Sequence, residues 1–130
     1  MAVGVLLLTH EGFGTSLLRV ARRLLASSPL AVEAFEAGWE EGVDAQLPAA
    51  SAALRKVDGG DGVLLLVDLY GATPARLGAK LAQLYTPVKR VSGLGLPMLL
   101  RVLNYPEQTL DELARTAAAG GRNGVVVDDA

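Results

Sequence analysis

Any group-transfer chemistry in this chain has to run through one imidazole. Its 130 residues include a single histidine, His10, and no cysteine. A thiol nucleophile, a thiolate-held metal and a disulfide framework are therefore excluded. A zinc site or a serine-hydrolase triad would have to be built around that one ring. His10 follows the apolar run Val3 to Leu8 and precedes the glycine-bearing turn Glu11-Gly12-Phe13-Gly14-Thr15-Ser16. An acid, Asp68, follows a second apolar run, Val63 to Val67, and opens the loop Leu69-Tyr70-Gly71-Ala72-Thr73-Pro74. A carboxylate bonded to one imidazole N–H fixes the tautomer and leaves the other nitrogen as a nucleophile. It also favours the positive ring formed during attack. The Thr73 hydroxyl and nearby N–H groups such as that of Gly71 suit phosphoryl oxygens, and Gly12 lets backbone N–H groups approach an anion at a helix start.

Blander roles fit the same residues. His10 also reads as a surface or capping residue, Asp68 as a cap for the helix near Pro74, and Thr73 as an N-cap. Tyr70 and Arg76 read as rim contacts. Phosphoryl transfer through phosphohistidine uses the pattern most completely. It needs no separate base, because neutral imidazole is already nucleophilic, and no metal or cofactor if backbone dipoles screen the phosphate. Ser16 lies near His10, but no GxSxG elbow is present, and neither a GxGxxG nor a GK[ST] motif occurs.

The elements that must position these groups follow from periodicity. Val3–Leu8 and Val63–Val67 are continuous apolar runs of strand length, as expected for strands buried on both faces. A helix carries Leu17, Leu18, Val20, Ala21, Leu24 and Leu25, and Pro29 ends it. Leu30 to Phe35 alternates as a strand, and residues 37–39 form a loop. Ala45 to Val57 reads as a helix, Asp58 to Gly62 as a turn, Ala75 to Leu84 as a helix, and Lys89 to Gly93 as a short outer strand. A helix opens at Leu96-Pro97. The last helix starts at Thr109 or Asp111 and is expected to stop at Gly120-Gly121. Val125 to Val127 reads as a final short strand. This order predicts a doubly wound α/β sheet, mostly parallel, with right-handed crossovers and strand order 2-1-3-4. The switch point then lies between strands 1 and 3, where such sheets bind ligands beyond the strands' carboxyl ends. His10 and Asp68 occupy those two ends and should face each other.

Composition fits this reading. The chain is 51% hydrophobic and 20% charged, with formal net charge -2. That excludes wholesale disorder, and a mildly acidic chain without a basic run is a poor nucleic-acid binder. At roughly 150 residues per domain, residues 1–130 are expected to form one domain. The apolar start lacks a basic leader and a small-residue cleavage site, and no run is long enough to span a bilayer. A cytoplasmic protein with no direct membrane insertion is expected.

Three segments together resemble a known family. They are Val5-Leu-Leu-Leu-Thr-His10-Glu-Gly, Val63-Leu-Leu-Leu-Val-Asp68-Leu-Tyr-Gly-Ala-Thr-Pro74, and Val91-Ser-Gly-Leu-Gly-Leu-Pro-Met-Leu-Leu100. In this order they are similar to the mannose-type EIIA components of the bacterial phosphoenolpyruvate:sugar phosphotransferase system, over essentially the whole chain. The resemblance implies that His10 takes a phosphoryl group from the phosphocarrier protein HPr and passes it to an EIIB partner. It implies that Asp68 bonds the histidine and that Thr73 binds phosphate. It also implies a homodimer in which the antiparallel C-terminal edge strand, here Val125 to Val127, is exchanged. With the sequence ending at Ala130, no fused EIIB domain is expected. The sequence departs from the family pattern at several positions. Leu69 stands where a hydroxyl residue is common, Ala72 replaces a glycine, and Ala75-Arg76 stands where Phe-Asn is usual. Gly95 replaces an asparagine, and Arg101 a common acid. These departures allow an alternative role, a regulatory protein that signals to its target by the phosphorylation state of His10.

Overall fold

Parallel pairing of uniformly apolar strands dictates the architecture. The computed structural model describes residues 2–85 and 87–129. Four strands, β1 (Gly4–His10), β2 (Val32–Ala37), β3 (Val63–Val67) and β4 (Val88–Ser92), form one sheet in the order β2-β1-β3-β4. All three pairings are parallel. Five helices, α1 (Gly14–Leu24), α2 (Val43–Val57), α3 (Thr73–Leu84), α4 (Leu96–Leu103) and α5 (Leu110–Asn123), complete the described residues. The predicted α/β class and the order 2-1-3-4 are both observed.

Alternation along the central strands divides the core into two. Val5 and Leu7 of β1, with Leu64 and Leu66 of β3, pack with Leu18 of α1, Leu99 of α4 and Leu113 of α5. Leu6 and Leu8, with Leu65 and Val67, pack on the other face with Leu54 of α2 and Leu77 and Leu81 of α3. Successive strand side chains point to opposite faces, so a strand covered on both sides must be apolar throughout. At about 25 cal/mol per Å² of apolar surface removed from water, this burial is the main force that fixes β1 beside β3.

Three expectations are corrected. Gly120 and Gly121 do not stop the last helix, which continues to Asn123. A Cβ at Gly120 would lie 2.6 Å from the Arg101 Cβ, and one at Gly121 3.0 Å from the Met98 Cε. These glycines let α5 pack closely on α4, and neither takes the positive φ of a glycine stop. Val125 to Val127 form no strand among the described residues. They leave α5 with 79%, 73% and 71% of their surface exposed. A β-branched run becomes a strand only with a ladder partner, and within one chain this run has none. Finally, Thr73 is the first residue of α3 rather than its N-cap, a place taken by Ala72 without a side-chain bond. Other boundaries shift by a few residues: β2 reaches Ala37, and α2 begins at Val43.

Candidate functional site

The site lies at the carboxyl edge of the sheet, where β1 and β3 end side by side. Leu8 pairs with Val67, and the Asp68 N–H donates to the Leu8 carbonyl at 3.2 Å. The ladder thus delivers Asp68 to the end of β1. Its Oδ2 accepts the His10 backbone N–H at 2.9 Å and lies 2.8 Å from His10 Nδ1. The carboxylate accepts only, so in the neutral ring this contact places the proton on Nδ1, and Nε2 is the nitrogen left with a lone pair. The pair is partly buried, with 23% of the His10 side chain and 11% of the Asp68 side chain exposed. Asp68 Oδ1 is buried without a hydrogen-bond partner. Asp68 therefore bonds the histidine and does not cap α3.

The turn from β1 into α1 is held internally. Thr9 is fully buried; its hydroxyl donates to the His10 carbonyl at 2.9 Å and accepts the Gly14 N–H at 2.8 Å. A Cβ on Gly14 would lie 2.7 Å from that hydroxyl, so the turn requires glycine there. Gly12 has φ 95°, a conformation that favours glycine. Its N–H donates to Glu36 Oε1 at 3.0 Å, and the Thr15 N–H donates to Glu36 Oε2 at 2.8 Å. The anion at the start of α1 is thus the chain's own carboxylate. Bonds from Thr15 and then Gly12 hold Glu36 below the usual glutamate value of 4.5.

The loop after β3 organises around Arg76. Gly71 has φ 87°, and its carbonyl accepts Arg76 Nη1 at 3.5 Å; Arg76 Nη2 donates to the Thr73 hydroxyl at 3.0 Å. Leu69 and Tyr70 are exposed on this loop. Asp68 thus bonds His10, Gly71 and Thr73 bond Arg76, and Gly12 bonds Glu36.

Two residues escaped the reading of the sequence. Glu36 is paired with Thr9 in the parallel register, which carries it to the turn after β1. Trp39, read as a loop residue, stacks on His10 with ring centroids 4.9 Å apart and an interplanar angle of 27°. Among the described residues, no group of three or more His, Cys, Asp or Glu side chains is placed to hold a metal ion. Nor is any helix long and apolar enough to cross a membrane.

The fold is shared with known proteins. The mannose-specific EIIAB component of the Escherichia coli (strain K12) phosphotransferase system is 28% identical over 132 residues, covering 96% of this chain. The chain spans 39% of that relative's length. The mannose/sorbose-specific IIA subunit from Enterococcus faecalis superposes with a TM-score of 0.87 at 23% identity, covering 100% of this chain and 97% of that one. The phosphotransferase system component EIIA from Streptococcus agalactiae gives 0.82 at 21% identity, with 98% of each chain covered. At such identities these two show the shared fold. The family model EIIA-man, described as "PTS system fructose IIA component", matches residues 4–118, a span that takes in both His10 and Asp68. The chain belongs to the EIIA-man family of phosphotransferase-system IIA components.

Proposed function

We propose that this protein is a phosphoryl carrier, which accepts a phosphoryl group from phospho-HPr on His10 and passes it to an EIIB partner. The observation that carries this reading is the single Asp68 oxygen that takes both the backbone N–H and the Nδ1–H of His10. The Nε2 lone pair attacks phosphorus, and the bond from phosphorus to the donor breaks with its electron pair leaving on the donor. The proton stays on Nδ1. The ring becomes cationic when both nitrogens are substituted, and the Asp68 carboxylate beside it stabilises that charge. The second transfer reverses these steps toward the next acceptor, with the ring as leaving group.

Thr73 and the N–H groups around Gly71 hold the phosphoryl oxygens in this scheme. Arg76 already donates to the Thr73 hydroxyl, which leaves that hydroxyl's own proton free to donate to phosphate. Gly12 serves by shaping the turn, because its N–H is taken by Glu36.

The wider assignments rest on the same reading. Residues 1–130 form one domain in this reading, which works in the cytoplasm and as a homodimer. The exposed Val125 to Val127 segment and the edge position of β4, whose one sheet neighbour among the described residues is β3, support pairing between two copies. Incubation with phosphoenolpyruvate, enzyme I and HPr tests the carrier reading, with an EIIB protein then added as acceptor. Label that enters at His10 and leaves to EIIB supports transport. Label that enters but does not transfer to any EIIB favours the regulatory role, which the departures at Leu69, Arg76 and Gly95 allow.

A further inference from the structure

We infer that Trp39 is a positioning residue for phosphoryl transfer, holding one face of the His10 ring and favouring its cationic form. The inference rests on the carrier reading, because that form arises when Nε2 is phosphorylated and Nδ1 keeps its proton. The indole stacks on the imidazole with centroids 4.9 Å apart and planes 27° from parallel. An aromatic face within about 6 Å of a cation attracts it through the ring quadrupole. The attraction to a neutral imidazole is weaker, so the contact stabilises the phosphorylated ring and the transition state leading to it more than the free enzyme.

The loop that carries the indole is anchored. Trp39 lies two residues beyond the end of β2, in the segment that leads to α2. Gln46 of α2, only 4% exposed, binds the backbone of this segment at several points. Its Oε1 accepts the Gly38 N–H at 2.7 Å, and its Nε2 donates to the Glu41 carbonyl at 3.0 Å. Longer contacts from the same nitrogen reach the carbonyls of Gly38 at 3.4 Å and Gly42 at 3.5 Å. A buried amide satisfied by loop backbone fixes that loop, because releasing it would strand the amide without partners. At the other end, the Glu11 N–H donates to the Ala37 carbonyl at 3.1 Å and ties the loop's origin to the residue after His10. Asp68 thus fixes the ring at Nδ1, and the Gln46-braced indole covers one of its faces. The indole itself stays 68% exposed, so a docked partner can still reach it.

Trp39→Leu keeps apolar bulk and removes the π face; Trp39→Phe restores a smaller one. Each is phosphorylated in parallel with the wild type by phosphoramidate, a small donor with no docking surface, and by phospho-HPr. Trp39→Leu should slow phosphorylation of His10 by about two- to fivefold with both donors, the size of an exposed cation–π contact, and Trp39→Phe should recover part of it. A structural readout comes from NMR of the unphosphorylated protein. The His10 ring protons should lose the ring-current shift of the indole in Trp39→Leu and part of it in Gln46→Ala. The account is overturned if Trp39→Leu matches the wild type with phosphoramidate, or if the loss appears with phospho-HPr alone, which would make Trp39 a docking residue only. Ring signals unmoved by Trp39→Leu would also overturn it. A wild type that neither donor phosphorylates defeats the carrier reading itself; a wild type that is phosphorylated, with variants equal to it, defeats only the role of Trp39.

Discussion

Asp68 Oδ2 accepts two bonds from His10, one from the backbone N–H at 2.9 Å and one from Nδ1 at 2.8 Å. The first fixes the end of β1 and the second fixes the ring. Because both converge on one atom, a change in the carboxylate reaches the chemistry without passing through the core.

Asp68→Asn is the direct test of that convergence. The amide oxygen can still take both bonds, but the negative charge beside the imidazolium is gone. A charge-assisted bond is roughly twice as strong as a neutral one, so transfer from phospho-HPr should slow by about tenfold. The fold should be kept with a modest fall in melting temperature, because the amide NH2 then occupies the buried, partnerless Oδ1 position. Single-turnover phosphorylation and thermal unfolding measured on the same samples check both halves. An unchanged rate removes the orienting role.

Thr73 and Arg76 separate phosphate binding from local structure. Thr73→Ala removes a hydroxyl aimed at a charged group, a bond of about 1.5–3 kcal/mol, so phosphorylation should slow by about tenfold or more. Arg76→Ala leaves that hydroxyl in place without its neighbour at 3.0 Å. Its effect should be a few-fold and should shrink as salt is raised, because Arg76 is exposed and its charge is screened. Rates measured across a salt series distinguish the two.

Much of this site is legible in the sequence, and the rest is hidden for physical reasons. His10 and Asp68 each follow a strand apolar on both faces, and such strands belong at the centre of a parallel sheet. The crossover rule then puts their carboxyl ends together without any side-chain detail. Glu36 and Trp39 lack such a signature. Glu36 reaches the turn through the Thr9–Glu36 register, and Trp39 reaches His10 from the 38–42 segment, whose backbone Gln46 binds. Local propensity misled at the other end of the chain. Gly120-Gly121 reads as a stop, yet packing against Arg101 and Met98 keeps the helix going.

Glu36 gives the start of α1 a pH dependence of known sign. Its folded value lies below 4.5 because the charged form accepts the Thr15 and Gly12 N–H groups. A lowered carboxyl value contributes stability above the unfolded value, which is lost as pH falls through the folded one. Glu36→Gln should therefore lower stability by about 0.5 kcal/mol at neutral pH, the low end for a helix cap at a solvent-screened site. The gap between variant and wild type should hold from pH 6 to 8 and narrow below 4.5. Urea unfolding at a series of pH values measures it.

Val126 tests the assembly. In a strand-paired dimer the exposed Val125 to Val127 segment is covered, and a charge placed there is buried without a partner. Burying an unpaired charge costs several kcal/mol, on the order of a hundredfold or more in the dimer constant. Sedimentation at micromolar concentration should show a dimer for the wild type and a monomer for Val126→Asp, with helix content unchanged. A monomeric wild type, or a dimeric variant, contradicts this assembly.

The most direct test of the central claim looks at the His10 ring itself. The protein, labelled with nitrogen-15, is incubated with phosphoenolpyruvate, enzyme I and HPr and followed by NMR of the ring nitrogens. With one histidine in the chain, the spectrum contains a single imidazole to assign. The account predicts phosphorus on Nε2, a proton retained on Nδ1, and no phosphorylation of His10→Ala. Phosphorus on Nδ1, an unmodified ring, or a label that persists in His10→Ala would contradict it.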